Sequence, residues 1–322
     1  MTKFKIEDLK QGKIDIPEEN GFYVFRNGET VVYAGKSANL QQTINQLLAV
    51  SEKPQSEVQE TSDSISWEVM DNMFQALLKE KSFMQANPDY QAPFRVHDIY
   101  KYMGIDFHKV PYFKFEDATL ENHYYLGPFP SRFFLFDFLD CMMQQFHFPF
   151  CESDNYPCEK MNGKLCKGYC LEDNPVLAEV LRNNYLRIPQ ENLSKLKNEA
   201  RVLSVDLEFE KAAEIGDRLT IFDKFYDYLK FLHVTKKLEL EFEEAGVNYK
   251  VHKGILAKVI KGDQEMFYPV PTMEYRNLEH LAVDKSELAE RRIIYNFLKD
   301  KFPQQIDEWY NQSCLELEGM GV

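Results

Sequence analysis

The chain has 322 residues, 44% of them hydrophobic, with 25 phenylalanines and 18 tyrosines. This composition is typical of a globular protein of two or three domains and excludes a disordered chain. The apolar stretches are short and broken by charge, which excludes a membrane-spanning helix, and residues 1–13 lack the apolar core of a secretory signal. The formal net charge of −14 excludes a protein that binds nucleic acid over a broadly basic surface. We therefore expect a cytoplasmic protein with no membrane partner.

Residues 1–95 show the pattern of a small α/β domain. The runs GFYVFR and TVVYAG are strand-like, and the intervening NGE predicts a tight hairpin turn. Apolar residues at helical spacing predict a helix from Ser37, its N-cap, to residue 50. The further elements predicted here are a polar loop over 52–64, a third strand over 64–70 and a second helix over 72–87.

The rest of the chain alternates between strand and helix patterns, so that the whole sequence predicts an α+β fold. Two apolar helical segments meet near Asp206 and predict a helical hairpin over 185–232. The remaining predicted elements are short strands over 96–130 with a tight connection at YYLGPFPS, a helix over 132–148, strands over 236–283 and a last helix over 286–302.

Four cysteines, at positions 151, 158, 166 and 170, lie within twenty residues. Such density in a chain without an export signal favours metal ligation over disulfides. The segment around them is short and polar, so that a bound metal would supply its folding energy. The spacing C-x6-C-x7-C-x3-C lacks the C-x2-C pairs usual in zinc sites and therefore favours an iron–sulfur cluster. Zinc stays open as an alternative, as do four thiols without a metal.

Three stretches together resemble one family, the excinuclease protein UvrC and its shorter relative Cho. The pairs Gly21-Phe22-Tyr23 and Tyr33-Ala34-Gly35-Lys36 resemble the paired motif of GIY-YIG nuclease domains. The run PCEKMNGKLCKGYC resembles the family's segment whose four cysteines hold a 4Fe-4S cluster, and LEFEKAAEIGDRL resembles the UVR motif, which binds the helicase UvrB. The chain is too short for the second nuclease domain of UvrC, so the resemblance is closer to Cho, which makes a single cut.

The resemblance implies a phosphodiesterase site in the N-terminal domain. Tyr33 would orient or deprotonate the attacking water, Tyr23 would support it, and Lys36 would lie near the scissile phosphate. Glu80 would hold a single Mg²⁺. The alternatives are that both tyrosines only pack, as strand tyrosines commonly do, and that Glu80 is a solvated carboxylate on a helix face.

Three positions depart from the family pattern, and of these Thr43 weakens the implied cleavage most. Thr43 stands where the family has an arginine that contacts the scissile phosphate, and Gln91 stands where it has an asparagine. Gly216 replaces an arginine of the UVR motif. Losing one charge-stabilising donor costs on the order of 10²–10³-fold in rate, so that we expect weak or lost cleavage.

The hairpin carries the residues that the resemblance implies for partner binding. Phe209 and Ile215 would anchor a partner helix, and the small Ala212 and Ala213 would let it approach. The alternative is that the hairpin packs on this chain's own domains. Lys164 and Lys167, beside the cysteines, are candidates for contacts with DNA phosphates.

Two functions are consistent with these residues. The first is a Mg²⁺-dependent, UvrC/Cho-like endonuclease that incises damaged DNA with UvrB, and the second is an inactive adapter that binds UvrB or DNA. An iron–sulfur redox protein is the third and weakest alternative, because no electron partner is indicated. The predicted domains are a GIY-YIG-like domain over 1–97, a cysteine-containing middle region over 98–182, a UVR-like hairpin over 183–234 and a small α+β region of unknown role over 235–322.

Overall fold

A computed structural model gives the conformation of most of the chain. It describes residues 2–49, 56–90, 99–109, 112–119, 123–148, 159–166, 168, 175–244, 246–268 and 280–319. The chain divides into two compact units: unit 1 comprises 1–96 and 289–301, and unit 2 comprises 97–288 and 302–322. In the described ranges, no helix is both long and apolar enough to cross a membrane.

The described elements confirm a mixed α+β fold. The helices are α1 (Ile6–Lys10), α2 (Leu40–Ala49), α3 (Ser56–Thr61), α4 (Met73–Ala86), α5 (Arg132–Phe146), α6 (Glu159–Asn162), α7 (Pro175–Leu181), α8 (Gln190–Val205), α9 (Phe209–Lys236), α10 (Leu288–Lys301) and α11 (Pro303–Gly319). The strands are β1 (Lys3–Lys5), β2 (Gly21–Asn27), β3 (Thr30–Ser37), β4 (Ser64–Val69), β5 (Lys101–Ile105), β6 (Phe113–Glu116), β7 (Tyr124–Phe129), β8 (Leu240–Glu244), β9 (Val247–His252), β10 (Ile255–Lys261), β11 (Gln264–Phe267) and β12 (Leu281–Ala282). A π-helical turn (Arg182–Leu186) follows α7, and a 3₁₀ turn (Lys285–Glu287) precedes α10.

Unit 1 is built on an antiparallel sheet with the strand order β1-β4-β2-β3. The predicted hairpin is confirmed, because β2 and β3 are joined by a two-residue turn between Asn27 and Thr30. Helix α2 covers one face of the sheet through Leu40 and Ile44, and α4 lies on the other face, where Phe83 packs against Phe22. Strand β3 ends the sheet, so one of its backbone edges has no partner among the described strands.

Helix α10 begins 202 residues after the end of α4 and returns to unit 1. The rings of Phe297 and Phe74 stack with centroids 4.4 Å apart. Further along α4, the Lys81 ammonium lies 2.8 Å from the Glu290 carboxylate, and both side chains are only 15% exposed. The helix that carries Glu80 is therefore packed against a segment from near the end of the sequence.

Unit 2 combines two further sheets with long helices. Its first sheet has the order β12-β7-β5-β6, so that β12 adds a parallel strand to segments of the middle region. Its second sheet is the antiparallel meander β11-β10-β9-β8. Helices α8 and α9 form the predicted hairpin, and the C-terminal half of α9 is buried, with the ring of Phe225 stacked 3.5 Å from that of Phe138 on α5.

Several local predictions are wrong. Residues 56–61 of the predicted polar loop form α3, because Val58 is fully buried in the core of unit 1. The predicted tight connection YYLGPFPS contains β7, whose six residues are all buried. The last helix is followed by a second one, α11, which was not predicted. The four-segment domain division stays a prediction, whereas the compact units group residues 289–301 with the N-terminal domain.

We predict that Phe297→Ala destabilises unit 1 by about 3 kcal/mol, because it removes a buried ring that stacks on Phe74. Urea unfolding of the full chain in a Trp309→Phe background measures this, because Trp67 then reports on unit 1 alone. Leu315→Ala on α11 is the control, since Leu315 is 66% exposed. Equal transitions in both variants would contradict the packing of α10 on unit 1.

Candidate active site

The two glycines of the paired motif make room for a tyrosine and a helix. Tyr23 lies directly opposite Gly35 in the antiparallel pair of β2 and β3. A Cβ atom on Gly35 would lie 2.9 Å from the Tyr23 hydroxyl, and one on Gly21 would lie 2.5 Å from Leu40 Cδ1 and 2.6 Å from the Glu68 carbonyl oxygen. A larger residue at either position would therefore displace the tyrosine ring or separate α2 from the sheet.

A β-bulge brings the two motif tyrosines to the same face of the sheet. The register pairs Arg26 with Val31 but Phe25 with Tyr33, so that Val32 is the extra residue of β3. Beyond the bulge, Tyr23 and Tyr33 occupy diagonal positions of one face, and their ring centroids are 6.1 Å apart. Without this shift, the two side chains would point to opposite faces.

Both tyrosines are held as neutral phenols. Tyr23 is 2% exposed, and burial raises its pKa well above the ordinary value, with further increases from Tyr33 and Glu80. Burial also raises the pKa of Tyr33, and its hydrogen bond with Tyr23 opposes that shift. At neutral pH these hydroxyls can donate and accept hydrogen bonds, so that Tyr33 is suited to orienting a water molecule.

Lys36 and Glu80 form an ion pair on the α4 side of the sheet. Lys36 pairs with Phe22 in the strand register, and its ammonium donates a short hydrogen bond to Glu80 Oε2. The two side chains are 16% and 19% exposed. The structure thus brings these two predicted residues together, although Lys36 leaves the sheet on the α4 face, opposite to Tyr23 and Tyr33.

Tyr90 connects the two sides of the site, and sequence reasoning missed it as a site residue. Its hydroxyl accepts a 2.9 Å hydrogen bond from the backbone N–H of Ala34, on the outer edge of β3. Burial raises the pKa of Tyr90 to about 12; the hydrogen bond from Ala34 opposes this shift, and the proximity of Tyr33 and Glu80 adds to it. Its position directly before Gln91, in the run PDY, was the available signal.

We call Tyr23, Tyr33, Lys36, Glu80 and Tyr90 the β3-edge cluster. The negative charge of Glu80 raises the pKa of all three tyrosines, so the cluster is electrostatically coupled. It combines a carboxylate, an ammonium and neutral hydroxyls, which are the groups needed to bind a cation, a phosphate and a water molecule.

Thr43 pairs with Ser37 and brings no positive charge to the β3-edge cluster. Its hydroxyl lies 2.6 Å from Ser37 Oγ, which also accepts a 2.9 Å hydrogen bond from Asn39 N–H. The predicted N-cap is wrong, because Asn39 caps α2 through a 2.8 Å hydrogen bond from Gln42 N–H to its side-chain oxygen. Gln91 lies outside the described residues.

Of the four predicted metal-ligating cysteines, Cys166 is described, whereas Cys151, Cys158 and Cys170 lie outside the described residues, as does Lys167. The Cys166 sulfur accepts a 3.4 Å hydrogen bond from Gly168 N–H. Among the residues that the structure places, no group of three or more His, Cys, Asp or Glu side chains could hold a metal ion.

The tip of the α8–α9 hairpin is apolar and exposed. Its four large apolar side chains are between 43% and 73% exposed: Val202, Val205, Leu207 and Phe209. Leu207 lies between the helices with a φ of 63°. The predicted partner-binding residues therefore differ in placement: Phe209 and Ala213 are exposed, Ala212 is half-buried, and Ile215 is buried within the chain.

Comparisons with known proteins place the chain among relatives of one kind. The UvrABC system protein C of Fervidobacterium nodosum is 25% identical over 223 residues, which cover 65% of this chain and 39% of the relative. The Thermotoga maritima protein of the same name is 26% identical, over 66% of this chain and 40% of the relative. The Aquifex aeolicus protein of that name is 24% identical, over 98% of this chain and 56% of the relative.

The chain therefore spans between about two fifths and just over half of the length of these relatives. These matches confirm the predicted resemblance to the UvrC family. A scan against protein-family models finds no match. Among solved structures, the magnesium-bound GIY-YIG N-terminal endonuclease domain of Thermotoga maritima UvrC is similar, with 24% identity, a TM-score of 0.23, and coverage of 25% of this chain and 90% of that one.

The buried tyrosines predict that unit 1 loses stability at high pH. Their pKa values are raised above 10.0 by folding, so the unfolded chain releases protons first, and the stabilisation is present below pH 10.0 and lost above it. In Tyr23→Phe, the decline of the unfolding free energy above that pH becomes shallower by about 1.4 kcal/mol per pH unit. Urea unfolding in the Trp309→Phe background, followed by Trp67 fluorescence, measures the slope.

Tyr100→Phe, which alters a residue of unit 2, is the matched control and leaves the slope of unit 1 unchanged. A slope in Tyr23→Phe equal to that of the unaltered chain would show that Tyr23 ionises normally in the folded protein, contrary to its buried position.

Proposed function

We propose that this chain is a divalent-cation-dependent DNA endonuclease of the UvrC/Cho type that acts in nucleotide excision repair. The observation that carries the proposal is the β3-edge cluster, in which two motif tyrosines in ring contact are coupled to the Lys36–Glu80 pair. The activity, the DNA substrate and the partners are inferred from relatives that this chain matches over part of their length.

Glu80 is the residue that would hold the cation. The Thermotoga maritima domain carries magnesium as its catalytic divalent cation. Mg²⁺ binds through one or two carboxylates and keeps several of its waters, and Glu80 offers one carboxylate on a side chain that is 19% exposed, so the donor chemistry fits. A bound divalent cation would polarise the phosphoryl oxygens of a phosphodiester.

The other residues of the cluster would orient the reactants. Tyr33 would hold the attacking water through its neutral hydroxyl, and Tyr23 would fix the ring of Tyr33 by packing beside it. Lys36 would contact a phosphate oxygen, as an ammonium does in many phosphate sites. Tyr90, which was not among the predicted site residues, would position the edge of β3 through its hydrogen bond with Ala34.

Thr43 weakens this site. Its side chain carries no positive charge, and its hydroxyl is already hydrogen-bonded with Ser37. Arginine offers a planar fork of charged donors that threonine cannot replace. We therefore propose slow cleavage.

The second candidate, an adapter without activity, is favoured by the same region. Lys36 and Glu80 neutralise each other, and Thr43 is satisfied by Ser37, so that each of these polar groups has a partner within unit 1. Such a protein would bind UvrB or DNA without chemistry.

A nicking assay separates the two candidates. We predict slow single cuts on lesion-bearing duplex DNA with Mg²⁺, UvrA and UvrB, and a rate on the order of 10²-fold higher in Thr43→Arg, which restores a charged donor. Thr43→Gln is the control of similar length without charge and gives no such gain. Tyr33→Phe and Glu80→Gln abolish cutting.

The absence of cuts in the unaltered chain and in Thr43→Arg would establish the adapter. Cuts that persist in both Tyr33→Phe and Glu80→Gln would exclude the β3-edge cluster as their source.

We also propose that the exposed hairpin tip is the surface that binds UvrB. Four large apolar side chains at the junction of α8 and α9 are exposed, and exposed apolar surface of this kind is typical of an interaction site. The C-terminal half of α9 packs within unit 2, so the hairpin serves both of the roles considered from the sequence, one at each end.

We predict that Phe209→Asp weakens UvrB binding about tenfold or more, because it replaces one of the four exposed apolar side chains of the tip with a charge. Isothermal titration with purified UvrB measures the affinity. Phe267→Asp on β11 is the matched control, since Phe267 is 63% exposed and lies on a different element. Equal affinities of Phe209→Asp and Phe267→Asp for UvrB would show that the hairpin tip is not the surface that binds UvrB.

For the cysteine segment, we propose a 4Fe-4S cluster, with zinc as the alternative. The N–H of Gly168 that donates to the Cys166 sulfur is the kind of contact that supports a thiolate ligand. Iron, sulfide and zinc contents of protein purified without oxygen distinguish the two. A DNA-repair role would place the protein in the cytoplasm of a bacterial cell.

A further inference from the structure

Glu80 has a partner of its own chain at the position where a divalent cation would bind. The ammonium of Lys36 donates a short hydrogen bond to Glu80 Oε2, and both side chains are more than four-fifths buried. Bringing a second cation to the same carboxylate would place two positive centres within a few ångströms, which is unfavourable at a partly buried position.

We propose that Glu80 exchanges Lys36 for a divalent cation, and that this exchange releases the Lys36 ammonium to contact a phosphate. This inference rests on the proposed function, because it concerns the same cation and the same phosphate. Glu80 pairs either with the Lys36 ammonium or with a divalent cation. Only in the second state is the positive charge of Lys36 available to a phosphate.

The exchange would make cation binding and phosphate binding cooperative. While Lys36 is paired with Glu80, its charge is neutralised and unavailable to an incoming DNA backbone. When Glu80 takes a divalent cation, Lys36 loses that partner and its charge becomes available to an anion. The site therefore would acquire its phosphate-binding charge only when the cation is present, and DNA binding would strengthen cation binding in return.

The test is the affinity of the full chain for Mn²⁺, used as a probe of the divalent site and measured by titration calorimetry and by water-proton relaxation. Lys36→Met removes the competing partner, so Mn²⁺ binds about tenfold more tightly, which is the worth of one charge-assisted hydrogen bond. Lys36→Arg keeps a competing cation and binds Mn²⁺ as the unaltered chain does. Glu80→Gln loses the site.

The matched control is Lys79→Met. Lys79 neighbours Glu80 on α4 and lies 2.7 Å from the Glu68 carboxylate, with both side chains about two-fifths exposed. This variant removes one positive charge from the same helix without removing a partner of Glu80, and we expect Mn²⁺ affinity to change less than twofold, as for a screened surface charge. Lys36→Gln, which keeps a neutral donor, replaces Lys36→Met if Trp67 fluorescence shows that unit 1 is unfolded in the latter.

Four results would overturn the exchange. The first two are equal Mn²⁺ affinity in Lys36→Met and the unaltered chain, and equal gains in Lys36→Met and Lys79→Met. The other two are no Mn²⁺ binding by the unaltered chain and by Lys36→Met, and Mn²⁺ binding that Glu80→Gln leaves unchanged. Its failure is distinguishable from that of the proposed function. If the unaltered chain nicks DNA but Lys36→Met gains no Mn²⁺ affinity, the nuclease stands and the exchange fails. If Lys36→Met gains Mn²⁺ affinity but neither the unaltered chain nor Thr43→Arg nicks DNA, the exchange stands and the nuclease fails.

Discussion

The candidate site depends on one extra residue in an edge strand. Val32 forms a bulge opposite the bond between Phe25 and Arg26, and every residue of the hairpin beyond that point changes its partner by one. Because side chains alternate between the faces of a sheet, this shift places Tyr23 and Tyr33 on the same face. Gly35 then lies beside the Tyr23 ring, which a side chain at this position would displace. The spacing of the whole motif follows from this register.

The outer edge of β3 is where the two faces of the sheet meet. Tyr33 reaches the edge from the α2 side, and Lys36 and Glu80 reach it from the α4 side. Tyr90 lies in between, on the backbone of Ala34. An edge strand is the only place in a sheet where groups from both faces can act on one ligand, because an interior strand is covered by its neighbours. The electrostatic coupling of Glu80 to the tyrosines is a consequence of this position.

The sequence predicts the hairpin, β4, α2, α4 and α10 of unit 1 but not β1, α1 or α3, and it predicts the geometry of the site only in part. The hairpin, β4 and α4 follow from alternation and helical spacing, which are local signals. The bulge has no glycine or other marker, so the shared face of Tyr23 and Tyr33 could not be derived from the residues. The pairing of Lys36 with Glu80 joins residues 44 positions apart, and single-sequence patterns carry no information about such contacts.

Long-range packing explains the remaining differences. Helix α10 was predicted as a helix, but its place on unit 1 depends on the contact of Phe297 with Phe74, two residues far apart in the chain. The buried strand β7 was taken for a turn because its Gly-Pro pair is a strong turn signal, and its pairing with β5 and β12 overrode that signal. The helical hairpin predicted over 185–232 is found over 190–236, and only the structure separates its buried base from its exposed tip.

The proposed exchange requires that Glu80 binds a divalent cation and that the Lys36 ammonium then leaves its carboxylate. Anomalous diffraction from a crystal of the full chain soaked in Mn²⁺ tests it most directly. We expect one anomalous peak within coordination distance of a Glu80 oxygen, roughly 2.0–2.2 Å, with the Lys36 ammonium turned away from that carboxylate. A soaked crystal that keeps the Lys36–Glu80 pair intact and shows no peak beside Glu80 would contradict it.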